Sequence, residues 1–216
     1  RRAPWRAYMG GPGAPSAPGD DPDTRGFPWV RRLGPALALL GVSSARPTAP
    51  LLATGRVGDA QRARLEVELA ALGAEGRVRV VLMHHPPVAA GQSRRRQLDD
   101  APAVRALLER AGAELVLHGH THESHQDAVP GPHGPIPVLG VPSSSSIGHR
   151  PARRARYHLI RIETDRRRAE GAPRCRLSWQ VRGFDAASGG FAAEAEERIE
   201  AATAEAESVA TPRAGR

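Results

Sequence analysis

Apolar residues in this chain gather in short runs that do not alternate with polar ones, and helical patterns separate the runs. Ala36-Leu37-Ala38-Leu39-Leu40-Gly41-Val42 is the first, followed by Val80-Val81-Leu82-Met83, Leu115-Val116-Leu117 and Ile136 to Val141. Such runs read as strands buried on both faces, which is the signature of a parallel sheet. The pattern predicts a strand from Leu33 to Ser43 and a helix over 60–72, with Leu65, Leu69 and Leu72 on one face. Asp59 is the expected N-cap of that helix and Gly73 its stop. A strand at 77–83, a loop at 87–98, a helix at 100–111 ended by Gly112 and a strand at 114–118 follow. After a Pro/Gly/His loop at 130–135 comes a strand at 136–141, then alternating strands near 155–163 and 174–182. The order strand, helix, strand, helix, strand predicts an α/β domain with right-handed crossovers. Residues 1–28, rich in Pro, Gly and Asp, read as a loop or extended arm. The Ala/Glu-rich stretch 191–209 reads as an exposed helix or a frayed tail.

Composition narrows the picture in three ways. A length of 216 residues suits one domain or a large piece of one. Cys175 is the only cysteine, which excludes an intrachain disulfide and a zinc site built from thiolates. That fits a reducing compartment, so a cytoplasmic location is expected. Residues 1–30 lack a continuous apolar core of the signal-peptide kind, and no run approaches the roughly 18 apolar residues of a membrane span. The net charge of +8 invites a nucleic-acid reading, yet every one of the 31 basic residues is Arg and none is Lys. Together with abundant Ala, Gly and Pro, this points to G- and C-rich coding. Arg94-Arg95-Arg96 and Arg166-Arg167-Arg168 carry no interleaved aromatics to stack on bases, so solvated surface charge is expected and nucleic-acid binding is not.

Candidate chemistry lies at the carboxyl ends of two of the strands, where open α/β sheets bind ligands. The first run ends in His84-His85-Pro86-Pro87 and the second in His118-Gly119-His120-Thr121-His122. Each neutral imidazole offers one lone pair of the kind divalent transition metals prefer. Gly119 is expected to bend the chain so that His120 and His122 share a cleft, and Pro86 and Pro87 to fix the loop after His84. On spacing alone, His84, His120 and His122 are either a metal site or histidines satisfied within the fold. His133, His149 and His158 stand alone and suggest no role, and His125 reads as a solvated loop residue.

The segments Met83-His84-His85-Pro86-Pro87 and Gly119-His120-Thr121-His122 resemble the last two blocks of the calcineurin-like metallophosphoesterases, nearest to the bacterial branch that includes cyclic-nucleotide phosphodiesterases. The resemblance runs from about residue 27 to 163 and takes in Thr54-Gly55-Arg56-Val57-Gly58, the helix with Gln61, and Ser143 after a strand. It implies the C-terminal part of a four-layer α/β/β/α sandwich, with residues 31–183 as the phosphoesterase portion. Residues 1–30 would be an arm following the N-terminal half, and 184–216 a tail. It implies hydrolysis of phosphoester bonds through two divalent ions (manganese, iron or zinc), which lower the pKa of a water and clamp an in-line displacement. His84 and His120 would bind one ion and His122 the other, with His85 and His118 as candidates to orient the ligands. The partner implied is a small phosphoester substrate, with no membrane. The family's Asp-x-His, Gly-Asp and Gly-Asn-His blocks do not occur before His84. The bridging Asp, the Asn ligand and the catalytic His are therefore expected outside this sequence, and no catalytic residue is assigned within it.

Two rival readings remain. A metallo-β-lactamase-type hydrolase is suggested by His118-x-His120-x-His122, but Glu123-Ser124 follows where that family has Asp-His, and His84 is left unexplained. A degenerate phosphoesterase domain that binds without cutting is the other, favoured by the absent blocks.

Overall fold

The structure, a computed structural model, describes residues 26–146, 153–164 and 175–201. The first sheet is built from β1 (Trp29–Leu33), β2 (Leu37–Gly41), β3 (Val78–Met83), β4 (Leu115–His118), β5 (His125–Val129) and β6 (Ile136–Gly140). Its order is β1-β2-β3-β4-β6-β5. Strands β2, β3, β4 and β6 are parallel, and β1 and β5 close the edges antiparallel. Helices α1 (Asp59–Ala74) and α2 (Ala101–Ala111) are the crossovers between β2, β3 and β4. A second, antiparallel sheet holds β7 (Arg156–Thr164), β8 (Cys175–Asp185) and β9 (Gly190–Ala201).

Period-2 alternation divides the first sheet between two cores. Ala38, Leu40, Val81, Met83, Val116 and Val138 pack under Leu65, Leu69 and Leu72 of α1 and Val104, Leu107 and Leu108 of α2. On the opposite face Val78, Val80, Leu115 and Leu139 meet Cys175, Leu177 and Trp179 of β8. The described residues thus form three layers: helices, mixed sheet, antiparallel sheet. Burial on both faces is why the parallel strands read as unbroken apolar runs.

Four expectations are corrected. The strand expected from Leu33 to Ser43 is the second arm of a hairpin, because Gly34 turns with φ 59° and Trp29 pairs opposite Gly41. Asp59 does not cap α1; it is the first helical residue, pairing with Arg62. The carboxylate that receives the backbone N–H of Val57 (3.0 Å) and Gly58 (2.8 Å) belongs to Asp100, 42 residues from Gly58. Gly73 does not end α1, which continues to Ala74, with Gly76 (φ 73°) just beyond. Gly73 is needed because a Cβ there would lie 2.7 Å from an Arg79 guanidinium nitrogen. Finally, within 191–201 the Ala/Glu-rich stretch is strand β9: the turn at 186–189 returns the chain onto the free edge of β8, and pairing overrides helix propensity. Residues 1–25, and the tail beyond 201, lie outside the described residues. No helix among the described residues is long and apolar enough to cross a membrane.

At the amino end of β3, Arg79 is 3% exposed and makes a bidentate pair with the equally buried Glu114 (2.8 and 3.1 Å). The same guanidinium donates to the carbonyls of Leu69 in α1 (3.1 Å) and Ala111 in α2 (2.8 Å). One arginine thereby satisfies acceptors near the carboxyl ends of both helices. The end of the sheet opposite the histidines is locked.

Candidate metal centre

Parallel pairing of β3 with β4 sets Met83 opposite His118, so His84 and Gly119-His120 leave the sheet side by side, with the Gly119 N–H donating to the His84 carbonyl (3.3 Å). His84 Nε2 then stands 3.2 Å from His120 Nδ1. His120 Nε2 faces the Arg96 carbonyl at 2.8 Å. A carbonyl only accepts, so His120 Nε2 carries the hydrogen and its Nδ1 holds the lone pair. The hydrogen between the two rings therefore comes from His84 Nε2. Burial, then the neighbouring His120 and His122, push the His84 pKa down. Burial likewise lowers that of His120, against the Arg96 carbonyl, which favours the cation.

His85 is 6% exposed and completes a cluster in which one ring nitrogen of each of His84, His85 and His120 lies within 4.8 Å of the others. Both of its nitrogens are already engaged. Its Nε2 donates to the Ala53 carbonyl (3.1 Å), and its Nδ1 accepts from the Ser44 hydroxyl (2.8 Å). Burial, assisted by the His120 charge, holds its pKa down at about 4. Gly55 makes room, because a Cβ there would lie 2.4 Å from His85 Nδ1. Ser44 is itself positioned by Gln61, whose amide donates to the Ser43 carbonyl and accepts from the Ser43 N–H, both at 2.8 Å. His85 is thus a wedge between the loop at 84–87 and the loops at 43–44 and 53–55, with no lone pair left for a ligand.

The bend after β4 is not made by Gly119. The left-handed residues are His120 (φ 69°) and His122 (φ 57°), while buried Thr121 between them holds the loop through its hydroxyl and the Glu123 carbonyl (3.1 Å). Each left-handed non-glycine costs on the order of 1–3 kcal/mol, and such strain concentrates at ligand clamps. His122 is exposed and outside the cluster of three, although its charge acts on both His84 and His120. His118 turns away. Its Nδ1 donates to the Gly119 carbonyl (2.9 Å), and its ring fills the space over Gly140, where a Cβ would lie 2.3 Å from it. Its ring stands 5.7 Å from that of His125 across the same strand, and burial holds its pKa at about 4. His125 is therefore a strand residue of β5, not a loop residue.

A divalent ion fits part of this arrangement. Two nitrogens bound to one ion at about 2.0–2.1 Å and roughly 90–110° apart stand roughly 2.8–3.4 Å from each other, the interval found between His84 and His120. The Arg96 carbonyl on the far nitrogen of His120 is the orienting partner metal-bound imidazoles usually have. No carboxylate joins the cluster among the described residues.

Sequence reasoning located the histidines and missed the groups that hold them: the Ser44 hydroxyl, the Ala53 carbonyl and the Arg96 carbonyl. Ser44 had a signal, since it follows a parallel strand at the ligand-binding end of the sheet. The two carbonyls had none.

Comparison with known proteins bears on one stretch. The family model for calcineurin-like phosphoesterases matches residues 55–124, which run from Gly55 through α1, β3, α2 and β4 to the end of the second histidine block. That match supports the calcineurin-like phosphoesterase superfamily, whose members are generally metal-dependent hydrolases, and the mixed α/β sheet fits such a fold. No curated protein gives a significant match to the chain.

Proposed function

We propose that this protein hydrolyses phosphoester bonds at a two-metal site, to which the chain contributes His84 and His120 for one ion and His122 for the other. The 3.2 Å spacing of His84 Nε2 and His120 Nδ1 carries this reading, with the family match behind it. The bacterial cyclic-nucleotide-phosphodiesterase-like branch is the nearest assignment, and a diester the first substrate to try. Bound divalent ions supply Lewis-acid polarisation of the phosphoryl oxygens and a water of lowered pKa. The chain's own part is positional. Arg96 fixes the ring of His120 through its carbonyl, and His85, clamped by Ser44 and Ala53, fixes the loop from which His84 projects. Carboxylate and amide ligands would come from segments carrying the family's Asp-x-His, Gly-Asp and Gly-Asn-His blocks. A second helical layer would cover the outer face of β7–β9, where Leu159 (59% exposed) and Tyr157 (38%) face solvent.

Calorimetric titration with manganese, paired with a bis(p-nitrophenyl) phosphate assay, tests this. The chain alone should bind the ion weakly and lose that binding in His120→Ala, with turnover near background. Turnover should appear when a segment carrying those blocks is supplied. Robust turnover by the chain alone, abolished by His122→Ala, would overturn the need for those blocks. Metal binding without hydrolysis in the extended protein would favour a binding module.

A further inference from the structure

The sequence presents Arg94-Arg95-Arg96 as ordinary surface charge, and their place in the fold alters that. They form a single 3-10 turn inside the loop that follows β3. That turn is stitched to the segment bearing Gly55: Ala53 N–H donates to the Arg95 carbonyl (2.9 Å), Gly55 N–H to the Gln97 carbonyl (3.1 Å), and Gly55 bridges Leu98 in parallel. The result is a ledge whose carbonyls hold both rings of the centre, Ala53 for His85 and Arg96 for His120. The Arg96 charge is close enough to act on His120.

Among the described residues these three lack a counter-charge, as do the exposed Arg31 and Arg56, but they alone stand consecutively on the ledge that holds the centre. Arg32, Arg46, Arg62, Arg77, Arg79 and Arg110 each pair with a carboxylate. Arg94, Arg95 and Arg96 are exposed and pair with none among the described residues. The acidic residues nearest in sequence are committed elsewhere, Asp99 to Arg46, and Asp100 to Arg62 and the backbone of Val57 and Gly58. Three uncompensated guanidiniums on the turn that holds His120 concentrate positive charge beside the centre, and each can pair with phosphate oxygens. Successive residues of such a turn project about 120° apart, so the three serve a wider area than one scissile phosphate fills. No Phe, Tyr or Trp lies between residues 85 and 120, and the His118 ring is turned away over Gly140, so base stacking, which single-stranded nucleic acid relies on, has no platform in that segment.

We propose that Arg94, Arg95 and Arg96 form a subsite for a second, non-scissile phosphoryl group, making the substrate a small phosphoester that carries additional phosphate, such as a nucleoside or sugar polyphosphate. This substrate class rests on the hydrolase reading above, whereas the anion site itself does not.

The test is calorimetric binding of inorganic tripolyphosphate to the chain in EDTA at low ionic strength. The variants are R94Q/R95Q/R96Q and a charge-matched control, R31Q/R110Q/R161Q, on other surfaces. The first should weaken binding about tenfold or more, equivalent to about 1.4 kcal/mol, and the control less than about twofold. Raised salt should weaken binding to the wild-type chain. Equal loss in both variants would reduce the effect to net charge and overturn the proposal, as would no loss in either. Tighter binding of a short oligothymidylate than of tripolyphosphate would overturn the small-substrate assignment. The diester assay separates the two readings. Failed hydrolysis once the Asp-x-His, Gly-Asp and Gly-Asn-His blocks are supplied, with arginine-dependent binding intact, removes the hydrolase, and hydrolysis without such binding removes the subsite alone.

Discussion

At the scale of single residues, the centre depends on groups whose side chains are small or whose backbone does the work. Gly55 is the sharpest case, since the His85 ring occupies the space a side chain would take. Gly55→Ala should push His85 off Ser44 and the Ala53 carbonyl, at an overpacking cost of about 1–3 kcal/mol. Denaturant titration would show the loss, and an unchanged midpoint would mean the ring relocates freely. Much of this was beyond the sequence for a physical reason. A histidine that will be a wedge and one that will be a ligand are the same letter in His84-His85, and only the partners on three loops tell them apart. The left-handed backbone of His120 and His122 was equally hidden, because the neighbouring glycine drew the inference to itself.

Among the elements, burial decided what could be read. The parallel strands β3, β4 and β6, covered on both faces, and α2, with its apolar stripe and terminal Gly112, stand within a residue or two of expectation. The edge strands do not announce themselves. Residues of β5, His125-Gln126-Asp127-Ala128-Val129, are mostly exposed and polar, and β9 has the composition of a helix. Their state is set by a neighbour's open hydrogen-bonding edge, which a local pattern does not contain. The element junction at Arg79 has a consequence that can be measured. Arg79→Ala strips the guanidinium from buried Glu114, which keeps the backbone N–H of residue 79 (2.6 Å), and frees the Leu69 and Ala111 carbonyls. A loss of about 3–5 kcal/mol is expected from removing the counter-charge of a buried ion. Thermal melting followed by far-ultraviolet circular dichroism would reveal it, and a shift of only a degree or two would show that water reaches Glu114.

On the scale of the whole molecule, the two sheets are coupled through a small apolar seam in which Trp179 is the largest side chain. Trp179→Ala should cost about 3–5 kcal/mol. Because both sheets share that seam, the far-ultraviolet transition in urea should move as one. A variant that unfolds in two separated steps would instead make β7–β9 a unit of its own. The molecule also has two ends of opposite character: strained backbone and unpaired guanidiniums at the carboxyl ends of the strands, a fully matched arginine–glutamate pair at the other. That pair has an implication for how the chain can change over generations. Arg79 lies on β3 and Glu114 immediately before β4, 35 positions apart in the gene's reading order. Replacing either one alone leaves a buried ion without its counter-charge, whereas two apolar residues of similar volume could succeed them together at little cost. The two positions are inherited as a single character, and a lineage that abandons one must cross a valley before it can abandon the other.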